Sequence, residues 1–392
     1  MVSLATAEKA LKDIYLSPVA NQLNTGVNPF LAKVQQTTAD VWGKQIIKMV
    51  PYGLNGGVGA GTETGVLPTA AGNNYERFTL DLKNLYGRIE ISDKAMRASL
   101  SGEGAFVNLL NAEMEGLLKA SKFNLGRMLF GDGSGKLTAM KAATPSSAYT
   151  LAVEDARNLT EGMVVDVVDE GGKVKSGMEK LRVLAVDRSA KSVTVDKAVS
   201  GTIAATDSLT VQGSFNNEIT GLGAIFSATG TLYGLDKATH KWLVPKTYSA
   251  TALSLEKMQE AIDDIDVTTG GSVDMILCSY DMRRAYMELC SALRMNIDYM
   301  ELDGGYKTIS YCGIPVVADR FAPAGTMYML NSADFKLHQL GDWRWIEGNE
   351  GKVLHQNADT ATYNATLVKY ADLICDRPIG QAKISVTASS QG

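Results

Sequence analysis

The spacing of apolar side chains changes several times along the chain, and each change predicts an element. Leu4, Leu11, Ile14, Tyr15 and Leu16 fall among Lys9, Lys12 and Asp13, an amphipathic pattern that predicts a short arm helix within 5–23, ending near Pro18. Ile46, Ile47, Met49 and Val50 predict a strand over Lys44–Tyr52. A second is predicted over Tyr75–Ser92, where Phe78, Leu80 and Leu82 alternate with Thr79 and Asp81. Together they make a long hairpin. From Gly104 to Phe130, Phe106, Leu110, Met114, Leu117, Leu125 and Met128 keep a spacing of three and four, and Gly131-Asp132-Gly133 ends the run. At about 1.5 Å per residue that helix is roughly 40 Å long, a spine.

Between the two hairpin strands, Gly53–Asn74 holds seven glycines, one charge (Glu63) and almost no large side chain. Such a loop buries too little apolar area to offset its ordering entropy, so it needs a partner to become ordered. Further on, short alternating runs at Met163–Val168, Leu181–Val186, Ser192–Val195 and Leu209–Val211 are separated by Gly171-Gly172, Arg188-Ser189 and Gly201. They predict a small antiparallel barrel set into a parent fold. After an irregular stretch from Asn216 to Tyr248, helices and strands alternate: helix Ser254–Asp266, strand Asp274–Cys278, helix Asp281–Leu293 and strand Ile314–Val317. Strands dominate thereafter, at Thr326–Leu330, Asp334–Leu340, Trp343–Glu347 and Thr360–Asp372, so the fold class is α+β.

Composition adds bounds. A chain of 392 residues, 45% hydrophobic and 21% charged, has material for two or three cores. No window approaches the roughly 18 apolar residues of a membrane span, and Met1–Lys9 lacks a signal pattern, so a soluble, unexported protein with no membrane partner is expected. Cys278, Cys290, Cys312 and Cys375 lie too far apart for a short-spaced zinc or dithiol site and read as buried thiols. With a net charge of -5 and no dense Lys/Arg run, no surface built to grip phosphates is visible.

The search for chemistry returns little. Gly131-Asp132-Gly133-Ser134-Gly135-Lys136 shares the end of a phosphate-binding loop, but Phe130 stands where its first glycine belongs, Leu137 replaces the hydroxyl, and the run follows a helix. It reads as a helix-ending turn. His240, His338 and His355 are scattered, and Asp263, Asp264 and Asp266 read as a solvated helix face rather than a calcium loop. Two Asn-X-Thr triplets, at Asn158 and Asn364, mean nothing without secretion. No catalytic, cofactor or metal residue is predicted, and no enzyme is expected.

The order of arm helix, glycine-rich hairpin, spine helix and α/β body resembles the Hong Kong 97 type capsid fold of tailed-phage major capsid proteins. Its most telling stretches are Tyr86-Gly87-Arg88-Ile89-Glu90-Ile91-Ser92-Asp93-Lys94-Ala95 and Asn217-Glu218-Ile219-Thr220-Gly221-Leu222. The resemblance implies an N-terminal arm (1–43), an extended loop (44–92), a peripheral domain with the spine (93–136), an inserted barrel (137–215), an axial domain (216–325) and a return to the peripheral domain (326–392). It implies a loop tip lying on an adjacent subunit, with Tyr52, Asn55, Glu63, Leu67 and Arg77 as intersubunit contacts. The axial loop near the capsomer centre would carry Asn296, Asp298, Tyr299, Glu301 and Asp303.

The expected function is then structural: copies of the chain form pentamers and hexamers of a head shell around double-stranded DNA, held without sequence specificity. Scaffold, portal and decoration proteins are the expected partners. The expected location is the virion, with assembly in the host cytoplasm. Some members of that family weld their shells through a loop lysine; none lies between Lys48 and Lys83 here, so a shell without such bonds is expected. Two other readings stand beside this one: an encapsulin-like nanocompartment that encloses enzymes, and an enzyme or ligand-binding protein using the barrel.

Overall fold

The computed structural model describes residues 28–94, 105–293, 299–302, 306–348 and 353–387. The expected arm helix lies outside the described residues, as do Asn296, Asp298 and Asp303.

A seven-stranded sheet forms the centre, in the order Lys246–Ala250, Ala382–Val386, Thr326–Leu330, Met275–Cys278, Ile314–Ala318, Tyr306–Tyr311, Tyr299–Leu302. Its middle strand is apolar at every position because both faces are covered. Period-two geometry sends Ile276 and Cys278 to one core and Met275 and Leu277 to another. The first core is closed by helices Leu255–Thr269 and Tyr280–Ala292, through Met258, Ala261, Ile265, Met282, Tyr286 and Cys290. Ser254 caps the former helix by accepting from Lys257 N–H at 3.2 Å, and Gly270, at φ 61°, ends it in the left-handed conformation. Thr326–Leu330 and Ala382–Val386 pair inside this sheet, so the domain boundary expected at 325/326 falls within one hydrogen-bonded unit.

The second core lies under a longer sheet in which Thr362–Cys375 pairs with Phe335–Trp345 on one side and with Lys83–Ser92 on the other. The spine helix, Ala105–Met128, 24 residues and about 36 Å long, packs on it with Met114, Leu118, Leu125 and Met128 inward. Contact is tight at Gly87, where an added Cβ would sit 2.9 Å from Leu117 Cδ1.

Two expectations are corrected here. The predicted strand Tyr75–Ser92 is two strands, Asn74–Asp81 and Lys83–Ser92, which belong to different sheets. Phe78 and Leu80 are inward at even positions and Leu85, Ile89 and Ile91 at odd ones, so one continuous strand would have turned half its apolar residues to solvent. Conversely, Asp334–Leu340 and Trp343–Glu347 merge into Phe335–Trp345, with register shifts on both sides of Gly341 absorbing the break in alternation.

Residues 136–211 form a third core of their own. Six antiparallel strands run in the order Lys136–Ala139, Ser208–Val211, Val164–Val168, Leu181–Asp187, Ser192–Val195, Thr150–Ala152. The bridge Met140↔Val153, with Lys141 N–H on Ala152 O and Glu154 N–H on Ala139 O, joins the two ends into a closed barrel. Its alternating residues, Leu181 and Val183, Val193 and Val195, fill the inside. The barrel leaves and rejoins the body through one neck, where Asn216 N–H donates to Ser134 O at 2.8 Å and a side chain at Gly135 would strike Ser214 O.

Candidate intersubunit surface

The hairpin strands Gln45–Tyr52 and Asn74–Asp81 pair over eight positions, from Gln45↔Asp81 to Tyr52↔Asn74. Beyond them residues 53–73 continue as two legs without a ladder. Asn55 Nδ2 donates to Asn73 Oδ1 at 3.0 Å, Asn55 Oδ1 accepts from Gly57 N–H, and Gly65 N–H closes a turn on Thr62 O. Eleven residues from Gly53 to Glu63 span at most about 35 Å. Every residue from 58 to 75 is exposed, including Val58, Leu67 and, at 97% relative exposure, Val66. The tip thus leaves these apolar side chains uncovered.

The five expected contact residues divide. Glu63, Leu67 and Arg77 are exposed. Tyr52 is at the base of the tip and stacks on Trp242 of its own chain, ring centroids 5.2 Å apart at 7°. Asn55 is exposed, and its side chain holds the two legs together. Tyr299 and Glu301 lie on the edge strand Tyr299–Leu302 of the central sheet, paired with Ile309 and Lys307.

The base of the hairpin is fixed by contacts between residues far apart in the sequence. Phe78 packs against Tyr233 and Trp242 at 4.9 and 5.9 Å. Tyr233 and Gly234, at φ 53° and 86°, form the two-residue turn of a small hairpin, Thr231–Leu232 with Leu235–Asp236. From that turn Tyr233 O accepts from Thr79 N–H, and its buried hydroxyl accepts from Cys375 N–H at 2.9 Å. Behind it Lys237 is buried and donates to three carbonyls, those of Ala224, Ile225 and Ser227; burial lowers its pKa to about 8. On the other hairpin strand, Lys48 Nζ meets both oxygens of Asp376, at 2.6 and 2.8 Å.

The stretch 217–222 locks the end of the spine helix to the body. Glu218 forms a buried bidentate pair with Arg127, at 2.5 and 2.9 Å. Thr220 donates to Asp372 from its backbone N–H (2.6 Å) and its hydroxyl (3.2 Å). Burial nevertheless pushes the Asp372 carboxyl up to about 6. Gly221 is required, since a Cβ there would lie 2.3 Å from Met128 O.

Among the described residues no group of three or more His, Cys, Asp or Glu side chains is placed to hold a metal, and no helix is long and apolar enough to cross a membrane. Asp263 accepts from Gln259, Asp264 from Tyr248, and the buried His338 bonds Ala39 O through Nδ1. Cys278, Cys290 and Cys375 are buried; Cys312, expected to be so, is exposed, at a turn where its φ of 49° precedes Gly313 at 79°.

No family model matches the chain, and no curated protein matches it in sequence. Among solved structures it is similar to the capsid asymmetric unit of cyanophage A-1(L), with a TM-score of 0.53, 15% identity and 90% of each chain covered. Weaker likenesses are to the SrpI encapsulin complex of Synechococcus elongatus (TM-score 0.47, 9% identity, 93% and 90% covered) and to the capsid of a native GTA particle (0.47, 10%, 91% and 92%). The fold is the Hong Kong 97 type of tailed-phage capsid proteins.

Proposed function

We propose that this chain is the major capsid protein of a tailed bacteriophage, a structural subunit that joins copies of itself into pentamers and hexamers and these into an icosahedral head around double-stranded DNA. The observation that carries the reading is the hairpin tip. Its base is riveted to the body by Tyr52, Phe78, Trp242 and Lys48, while its apolar end is exposed, with no partner among the described residues. A subunit that offers such an arm and receives another makes head-to-tail contacts, which close into rings. Modest interfaces repeated over several neighbours add through effective concentration, so the shell is stable while early errors still dissociate.

In this reading 216–325, with Thr326–Leu330 and Ala382–Val386 paired into the same sheet, supplies the axial domain, with Asn296, Asp298, Tyr299, Glu301 and Asp303 near the capsomer centre, and the spine belongs to the peripheral domain. A net charge of -5 suits an inner surface that contains DNA without gripping its sequence. Scaffold, portal and decoration proteins are its further partners, the virion its location and the host cytoplasm its place of assembly. No cofactor is needed.

Size-exclusion chromatography and negative-stain microscopy of the purified chain, beside particles from producing cells, test this. Closed megadalton shells, with nuclease-protected DNA in the native particles, are expected. Shells filled with protein cargo indicate a nanocompartment, and a persistent monomer overturns the assembly reading.

A further inference from the structure

Asn55 and Gly56, at the start of the hairpin tip, form the one place in the chain where an asparagine is followed by glycine. In such a pair no Cβ shields the glycine nitrogen from the side-chain amide carbon of the asparagine before it. Both residues are exposed and lie beyond the last ladder pair, Tyr52↔Asn74. The Gly56 N–H has no hydrogen-bond partner among the described residues, so the nitrogen is free to react.

The side chain of Asn55 is already folded back on its own backbone. Its Oδ1 accepts from Gly57 N–H at 2.9 Å, closing an Asx turn whose ring of atoms includes the Gly56 nitrogen. The same N–H donates to the oxygen on which negative charge collects when the amide carbon is attacked.

Asn331 makes the contrast. Its Oδ1 closes the same turn, accepting from Ala333 N–H at 3.1 Å. The residue between them, Ser332, is buried, and its N–H is committed to Asp274 Oδ1 at 2.7 Å. Two asparagines thus share one side-chain geometry, and only the one in the tip faces a free nucleophile.

We propose that Asn55 is a site of spontaneous covalent modification, deamidation through a cyclic imide. The Gly56 nitrogen gives its proton to water or hydroxide and bonds to Asn55 Cγ. The Cγ–Nδ2 bond breaks, the nitrogen leaves as ammonia, and a five-membered succinimide closes. Water then opens the ring at either carbonyl, leaving an aspartyl residue or an isoaspartyl one whose main chain runs through the side-chain carbon. One water is consumed and one ammonia released, with no oxidant and no enzyme.

The change undoes the link between the two legs of the tip. Asn55 Nδ2 donates to Asn73 Oδ1 at 3.0 Å, and Asn73 in turn donates to the Tyr75 hydroxyl at 3.3 Å. A carboxylate in place of that amide faces an acceptor, and it gives the segment Gly53–Asn74 a second acid after Glu63. The tip therefore carries a clock that starts at synthesis and loosens its own legs. The inference needs no shell and stands apart from the shell reading.

The full chain, in whatever state of assembly it purifies, is held at mildly alkaline pH and digested at intervals for peptide mass analysis. The peptide carrying Asn55 is expected to gain one mass unit and split into aspartyl and isoaspartyl forms, faster as pH rises. Asn331 keeps its amide until the chain is unfolded in urea. Gly56→Ala is expected to slow the conversion about tenfold, the effect of roughly 1.4 kcal/mol on the barrier. Its added methyl meets only Ala71 Cβ, at 3.5 Å, so the variant fits the fold. Asn55→Gln, which keeps an amide but cannot close a five-membered ring, holds its mass. Converted chain is expected to be cut by protease within the tip several-fold faster than fresh chain. An amide at Asn55 as durable as that of Asn331 in the folded chain overturns the inference, as does Gly56→Ala converting at the unsubstituted rate. Equal cleavage of converted and fresh chain overturns the loosening of the legs.

Discussion

The barrel and the tip of the long hairpin both leave the body as short, glycine-punctuated segments, and they differ in where their backbone groups and apolar side chains go. In the barrel six strands are joined end to end through the bridge Met140↔Val153, and sixteen buried side chains share one core. At the tip a few contacts join the legs, and Leu54, Val58, Val66 and Leu67 face solvent. The barrel is complete within one chain. The tip leaves its apolar side chains uncovered, and in the proposed shell another surface covers them.

The largest effect that sharpens the contrast is inside the barrel. Val167→Asp places a carboxylate in a fully buried apolar site and should cost about 4 kcal/mol, read as loss of the barrel's protection from limited proteolysis. Next is a matched pair of glycines. Gly172 has a φ of 84° and a Cβ there would strike the Phe215 ring, so Gly172→Ala should destabilise by about 2–3 kcal/mol in chemical denaturation. At the tip Gly61 has open space around it, and Gly61→Ala should leave subunit stability within about 0.5 kcal/mol. A large loss at the tip in the isolated subunit would break the comparison.

Between those effects in size is a pH-dependent one on the body between the two regions. Burial pushes Asp319 up to about 6, against an ordinary value of 3.8, and its Oδ2 has no partner. A carboxyl with a raised folded-state pKa costs stability when ionised; that cost is full above about pH 6 and disappears as pH falls toward 4. Asp319→Asn should therefore stabilise the subunit at pH 7, on the order of 1–2 kcal/mol, and give no gain at pH 4. Denaturation at the two pH values checks it.

What sequence could reveal follows from how local the signal is. The spine, the helices after Ser254 and the alternating strands of the barrel announce themselves by periodicity, because each buries one face. The break at Leu82 was written in the same code, as the switch of apolar parity between Phe78–Leu80 and Leu85–Ile91. The anchors were not. Lys48 and Asp376 are 328 positions apart, and Trp242 gains its role only when Tyr52 and Phe78 are laid against it. Gly221 stood in a stretch recognised by resemblance, and its reason, the carbonyl of Met128 2.3 Å from a would-be Cβ, is visible only in three dimensions. The tip was legible as a glycine-rich segment with little to bury, whereas the cleft between the spine helix and the barrel was not, since its walls come from three separate parts of the chain.

The neck of the barrel has a consequence for engineering and for descent. Ser134 and Asn216 are held together by a backbone hydrogen bond, so everything between them enters and leaves the body at a single point. A module attached in this way can be lifted out and another grafted in its place, provided the newcomer's termini are as close together. Ancestors could have acquired, traded or lost it without redrawing the sheets beneath, and a designer could use the same socket to display a foreign domain on every subunit.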